Sequence, residues 1–226
     1  ANILVGIPAM LSPNQELNYD PDQARQILED AGWTGDGTRS KDGVELELTL
    51  TTTVNQVRQK TQAVVKANLE EIGFAIQLEQ VDAGIFFDSS PGNDQSNTKM
   101  YTDMNMFTSG VGAPPPVAFM VRFYAGPNNE EIAQQENGWA GRNFLRWKNE
   151  EYDALYEQAQ TESDPERQAE LFIQMNDIVI NENAVIPLVS PGNKQAYNRT
   201  INIDNIAVGP FEFDYWNIAN WNRIEE

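Results

Sequence analysis

Apolar and polar positions alternate along this chain with two different periods, and the periods mark its elements. Tyr152, Leu155, Tyr156 and Ala159 fall at i, i+3, i+4 and i+7, the spacing of a helix with one buried face. Asp164 and Pro165 open a second helix. The carboxylate can accept the free N–H groups of a first turn, and proline is tolerated where no N–H is needed. Leu171, Phe172, Met175, Ile178 and Val179 supply that helix's apolar face, and Asn181 to Asn183 interrupt it. Residues 184–189 (AVIPLV) then read as a short buried strand, at a sheet edge or bulged at Pro187, which has no N–H to give.

The preceding two-thirds reads the same way. Residues 1–18 show no sustained period and are expected as a loosely held, extended lead-in with turns at Pro8 and Pro13. Residues 19–33 form a helix: Asp20 is its N-cap, Pro21 its first turn, Ala24, Ile27, Leu28 and Ala31 its apolar face, and Gly32 its left-handed end. Residues 34–43 make a double turn into a hairpin, and 44–52 (VELELTLTT) alternate as a strand with one buried and one wet face. Residues 55–72 give the longest helical pattern, with Val57, Thr61, Val64, Val65, Leu69 and Ile72 on its inner face. Gly73 ends that helix, and FAIQLEQVD is a second alternating strand. Strand, helix, strand at this spacing is a βαβ unit, so the fold class is α/β with a mixed sheet flanked by helices. Residues 83–98 begin with a short apolar turn at Ile85 and Phe86 and become a polar loop, expected to be mobile and solvent-exposed. Residues 101–107 form another strand, which runs into TSGVGAPPP at 108–116. Prolines stiffen that exit, and its glycines allow a close backbone approach.

Composition narrows the chemistry. The 226 residues carry 34 acidic and 15 basic side chains, a formal net charge of −19. Nucleic acid and anionic membrane surfaces are poor partners for such a chain, because phosphates reward clustered Lys and Arg. With 40% hydrophobic residues the chain can bury a core, and no apolar run approaches bilayer length. The absence of Cys and His excludes disulfides, thiolate zinc sites, thiol catalysis and the usual catalytic triads. Asp36, Thr38, Ser40 and Asp42 alternate oxygens as a calcium loop does, but Lys41 stands where such a loop needs glycine. No metal, cofactor or catalytic residue is expected. The adjacent acids Glu70–Glu71, Glu130–Glu131 and Glu150–Glu151 point about 100° apart on a helix, so they do not converge on one substrate atom. A carboxylate-dependent hydrolase needs two facing carboxylates and stands as an alternative. Asn198, Arg199 and Thr200 fit a glycosylation sequon, a frequent accident.

Several short motifs occur in a telling order. Asn143 precedes the pair Arg146–Trp147, then come Asn149 to Leu155 (NEEYDAL), the helix start Asp164 to Arg167, and Ala184 to Leu188 (AVIPL). With the earlier Tyr19–Asp20–Pro21 helix, this series resembles the carboxy-terminal lobe of the family 5 extracellular solute-binding proteins, the peptide- and oligopeptide-binding components of ABC importers. The resemblance implies one lobe of a type II periplasmic-binding-protein-like fold, with 1–18 as an inter-lobe connection, 19–206 as the ligand-binding lobe and 207–226 as an aromatic tail returning toward the first lobe. Family members are considerably longer, so the chain reads as an excised segment.

The resemblance also implies a ligand site and its setting. Peptide binders of the family carry a Trp, two small residues, an Asp and then a Pro between the strand and the next helix. Counted from Asp103 to Pro116 without gaps, the Trp position falls on Ser109 and the Asp position on Gly112. The Asp pairs with a peptide's ammonium in the family, and Gly112 cannot. Free-amine peptides are therefore expected to bind weakly, and an oligosaccharide or a blocked peptide becomes an alternative ligand. The implied ligand-binding residues are Phe107, Ser109, Gly110, Gly112, Asn143, Arg146 and Trp147, with Trp139 and Trp147 as candidate stacking platforms. The implied partners are a small-molecule or peptide ligand and, through the full-length protein, an ABC permease. The setting is a monomeric lipoprotein, periplasmic or cell-surface, anchored outside the cytoplasmic membrane. The aromatic tail alone hints at a third reading, an interaction domain.

Overall fold

A computed structural model describes residues 1–15, 18–190, 192, 196–206 and 215–224. Its helical half is built from α4 (Val117–Met120), α5 (Glu150–Thr161) and α6 (Pro165–Asn181). Asn149 caps α5 through the Tyr152 N–H, and Asp164 caps α6 by accepting from the N–H groups of Glu166 and Arg167 at 2.9 and 3.2 Å. The four positions of the α5 stripe are all buried, as are Leu171, Phe172, Met175 and Val179 of α6. Tyr152 donates its hydroxyl to the Met120 carbonyl at 2.6 Å and so ties α5 to α4. Burial raises the pKa of that phenol, which keeps it a neutral donor.

The lead-in is not loosely held. Leu4, Ile7 and Met10 are buried in the same core as Phe172 and Met175. The Ile3 N–H donates to the buried Asn176 side chain at 2.9 Å. Asn2 and Ser12 exchange two hydrogen bonds, at 2.7 and 3.1 Å, that fold the segment onto itself. Three apolar residues spaced by three, around a 3-10 turn at Pro8–Met10, were too few to register as a period.

The other half is a βαβ unit. β3 (Glu47–Thr53), α2 (Gln56–Glu71) and β4 (Ala75–Val81) follow in order, and β5 (Met104–Met106) pairs on the far side of β3. The strand order is β4–β3–β5, and both pairings are parallel, with Thr51 opposite Glu79 and Asn105. Antiparallel pairing occurs in a separate hairpin of β1 (Ser40–Lys41) and β2 (Val44–Glu45), turned at Asp42 and Gly43, both with positive φ. Both strand senses are thus present, but in two sheets and not in one.

β3 is central, so its polar face is wet only at its start, where Glu47 is exposed. Thr51, Thr52 and Thr53 are all buried. α2 covers one face with most of the expected stripe, since Thr61, Val65, Leu69 and Ile72 are half-buried, but two of its positions turn outward. Val57 and Val64 are 70% and 60% exposed, while Gln62 is fully buried. The Gln62 amide donates to the carbonyls of Leu50 on β3 and Glu79 on β4. The helix is rotated to satisfy those carbonyls, because a buried unpaired polar group costs more than an exposed valine. α1 (Pro21–Asp30) is capped by Asp20 as expected, yet none of its residues is buried and Ile27 is exposed.

Two further expectations change. Residues 184–189 form no strand: among the described residues nothing pairs with them, and Ile186, Leu188 and Val189 are exposed. The loop after α3 (Ala83–Phe86) is not solvent-exposed throughout, because Ser96 and Asn97 are buried and the Asn97 N–H donates to the Phe86 carbonyl at 2.9 Å. Within the tail, Ile201 bridges to Arg223 and the Tyr197 and Trp221 rings meet edge to face at 5.6 Å. The glycine-to-aspartate stretch at 209–214 lies outside the described residues.

Candidate functional site

Three parallel strands end along one edge of the sheet, at Thr53, Val81 and Met106. In open parallel sheets the carboxyl edge is where ligands lie, since connecting loops and helix starts converge there. Here that edge collects the first turn of α2, the short α3 and residues 107–116. Asn55 caps α2, accepting from the N–H groups of Val57 and Arg58 at 3.0 and 3.1 Å. Asp82 caps α3 through the Gly84 N–H at 2.8 Å. Phe107 stands against Phe86 and Phe87 with ring centres 5.9 and 6.0 Å away. Phe86 is fully buried and Phe87 is 48% exposed, so the trio presents an apolar wall with an open outer side.

Residues 108–116 leave this wall as an exposed loop. Ser109, Gly110 and Gly112 are exposed, and a Cβ built on either glycine would meet no atom within 4 Å. The glycines therefore make no close approach to other described residues. Val111 turns inward and packs on the helical core.

Arg58 joins the loop to the sheet. Its guanidinium donates to the Thr53 hydroxyl at 3.0 Å and to the Thr108 hydroxyl at 3.2 Å, and its Nε is buried without a partner among the described residues. The sequence pattern did not single out this residue. The available signal was its place in the first turn of a helix that follows directly on a strand end. Asp88, next to Phe87, is held below the usual aspartate pKa by the Ser90 hydroxyl and N–H.

The remaining candidates lie elsewhere. Arg146 has its guanidinium carbon 5.2 Å from the Trp139 ring centre and donates to the carbonyls of Ala133 and Lys99. Lys99, 2% exposed, pairs with Asp94 at 2.9 Å and lies 5.8 Å from the Tyr101 ring centre. Trp139 is thus already faced by Arg146 and by Tyr101, whose ring centre is 5.6 Å away. Trp147 packs edge-on against Tyr152 and donates its indole N–H to Glu182 at 2.8 Å. Asn143 departs from expectation: it is fully buried, and its amide donates to the carbonyls of Tyr124 and Trp147 at 3.2 and 2.8 Å. From that position it sets the backbone on which Arg146 and Trp147 stand. Val111 and Trp147 pack on the same core, which is the link between the two groups.

Two cavities lie away from the loop. One of about 450 Å³ sits at the opposite sheet edge, lined by Gly35–Arg39, Glu70, Glu71 and Gly73–Ala75. The other, about 70 Å³, lies between the sheet and residues 94–102, where Glu79, Thr51 and Asn105 line up across the strands. Thr51 donates to Glu79 at 2.8 Å and bonds to the Thr102 hydroxyl at 3.0 Å. Among the described residues no three acidic side chains come together in a way that could hold a metal ion.

Comparison with known proteins supplies the context for this geometry. The family model of the bacterial extracellular solute-binding proteins, family 5 Middle, matches residues 6–131. The oligopeptide-binding protein AppA of Bacillus subtilis (strain 168) is 24% identical over 212 residues, 91% of this chain and 35% of that protein. The crystal structure of the oligopeptide binding protein from Thermus thermophilus, complexed with a pentapeptide, superimposes with a TM-score of 0.67 at 27% identity, over 78% of this chain and 30% of that one. NikZ from Campylobacter jejuni, in complex with Ni(L-His), shares the fold over 99% of this chain and 43% of its own, with a TM-score of 0.69 at 20% identity. The chain therefore spans about a third of the length of the AppA relative, 35%.

Proposed function

This chain belongs to the bacterial extracellular solute-binding proteins of family 5, and we propose that it is the carboxy-proximal lobe of the substrate-binding component of an ABC importer that captures peptides. Residues 19–206 form the ligand-binding lobe, 1–18 the connection and 207–226 the returning tail. A first lobe closes on this one about a hinge and traps the solute between them. The loaded protein, a monomer anchored outside the cytoplasmic membrane, delivers the solute to a permease. It binds without transforming, a reading supported by the relatives, which are binding proteins.

The observation that carries this reading is the carboxyl edge of the parallel sheet, with its open Phe87–Phe107 wall and the exposed loop at 108–116. Phe107, Ser109, Gly110 and Gly112 are the ligand-facing residues, with Arg146 and Trp147 at the flank and Asn143 positioning them. Gly112 offers no carboxylate to a peptide's ammonium. Calorimetry of the full-length protein against a peptide library tests the reading. Peptides should bind one to one, free-amine forms weakly, and N-acetylation should raise their affinity by removing the unpaired ammonium. Tight binding lost on acetylation would show that a carboxylate elsewhere grips the ammonium, and heat from sugars but from no peptide would replace the peptide reading.

A further inference from the structure

α2 turns a stripe of its own to solvent. Val57, Lys60, Val64 and Ala67 follow one another three and four residues apart, so they share one helix face, and all four are exposed. Ala63 is exposed beside them. Val57 is 70% and Val64 60% exposed, and Val54, just before the Asn55 cap, is 62% exposed. A single exposed valine is ordinary on a protein surface. Charge sets this run apart. The chain carries 34 acidic side chains, yet residues 48–69 hold none. Of the basic residues there, Arg58 is bonded to the Thr53 and Thr108 hydroxyls and Lys66 pairs with Glu70, while Lys60 stands on the stripe. α1 is the contrast: it exposes Ile27 at 61%, but among Asp22, Glu29 and Asp30. The stripe also begins at the carboxyl edge of the sheet. Asn55 caps α2 there, and Arg58 ties the first turn to the loop at 108–116.

We propose that this stripe, Val57, Lys60 and Val64 with Ala63 and Ala67, is the face by which the lobe docks on the extracytoplasmic side of its permease, against an apolar patch that bears acidic side chains. This rests on the solute-capture reading above. A partner that takes a solute from the carboxyl edge has to reach that edge, and the stripe starts there. A net charge of −19 repels the chain from acidic surfaces, so close approach costs least where acids are absent. Lys60 steers the encounter, and the valines and alanines supply a contact that can be desolvated without stripping water from a charge. Depletion of acids at the centre of the patch is what an interface core shows. Gln62 accounts for the outward valines. Its bonds to the Leu50 and Glu79 carbonyls fix the rotation of α2 from the opposite side. Sheet packing and docking thus use opposite faces of one helix, and a substitution on the outer face leaves the inner one intact.

The test uses the full-length protein, saturated with an N-acetylated peptide, and its permease–ATPase complex in lipid nanodiscs. The reading is the protein concentration that gives half-maximal stimulation of ATP hydrolysis. Val57→Glu and Val64→Glu should each raise it by roughly tenfold or more, because they set an acid against acids. Lys60→Glu should raise it too, and more at low salt than at high salt. Ile27→Glu on α1 should leave it unchanged. Peptide affinity by calorimetry and thermal melting should stay native in all four variants. Native stimulation by Val57→Glu and Val64→Glu, or an equal loss with Ile27→Glu, overturns the proposal while leaving solute capture intact. Loss of peptide affinity or of melting temperature in Val64→Glu would assign the stripe to the contact with the first lobe, and overturns it as well. Failure of the native protein to bind any peptide would overturn solute capture and this proposal together.

Discussion

Gly141 and Asn143 show how tightly single positions are specified around the helical core. A Cβ on Gly141 would lie 2.4 Å from the Glu131 carbonyl oxygen and 2.6 Å from the Ala133 nitrogen, so this strand-like crossing requires glycine. Two residues on, the Asn143 N–H donates to that same carbonyl at 2.7 Å, and its carbonyl accepts from Ala133 at 3.1 Å. Asp153 illustrates an electrostatic constraint. It accepts the Ala125 N–H at 3.1 Å, but burial outweighs that bond and raises its pKa above the ordinary 3.8, with Glu157 adding to the rise. A folded-state pKa above the unfolded value means the folded protein holds the proton more tightly. The resulting stabilisation is full below 3.8 and is lost as pH rises through the elevated pKa. Asp153→Asn keeps an acceptor for Ala125 and removes the titration. Relative to the native protein, the variant should therefore gain stability between about pH 4 and about pH 7, read as the difference in urea midpoints at the two values. A gain in the opposite direction would contradict the assigned cause. The sequence disclosed none of this at position 153, because the shift comes first from burial, which only tertiary packing creates.

At the scale of elements, the helices of the core and the helix on the sheet were legible to different degrees. α5 and α6 were readable in their apolar stripes, and α6 also in its cap at Asp164; the Asn149 cap of α5 was not singled out. Their partners are other helices, and a helix–helix contact rewards simple apolar periodicity. α2 was readable as an element and in most of its inner face, with Thr61, Val65, Leu69 and Ile72 half-buried, but not in the burial of Gln62. Its apolar residues point partly to solvent, while Gln62 spans β3 and β4 and accepts in turn from Gln80 at 3.0 Å. Gln62→Leu should cost about 1–3 kcal/mol, because it leaves buried carbonyls without their donor. Val64→Lys, on the expected but exposed stripe, should stay within about 0.5 kcal/mol. Chemical denaturation of the two variants separates the cases, and a reversed order would restore the stripe read from periodicity. The 184–189 segment is the converse: its apolar pattern is that of a strand, but a strand exists only by pairing, and no described residue pairs with it.

For the whole molecule, the lead-in decides whether the helical half stands. Leu4, Ile7 and Met10 bury against α6, and burying three such side chains is worth about 5 kcal/mol, comparable to a domain's entire stability. Deleting residues 1–12 should abolish the cooperative thermal transition; a midpoint shifted by only a few degrees would mean the segment is peripheral. The same scale explains the site. Phe107, Ser109, Gly110 and Gly112 were legible as one loop because they are contiguous, and Arg146 and Trp147 because they sit in a recurring motif. Arg58 was not, since only the parallel pairing of β3 with β5 carries Thr53 and Thr108 to one edge, where both bond to one guanidinium although Thr108 lies 50 positions beyond it in the chain. By itself the sequence determined what local physics dictates: the α/β class, the caps, the core helices, the βαβ unit and the uncharged loop at 108–116. The tertiary structure alone decided that Gln62 turns inward on α2, which polar strand residues are covered and where the Arg58 guanidinium is held. Those outcomes turn on hydrogen bonds and charge pairs between distant segments, and periodicity along a chain does not encode them.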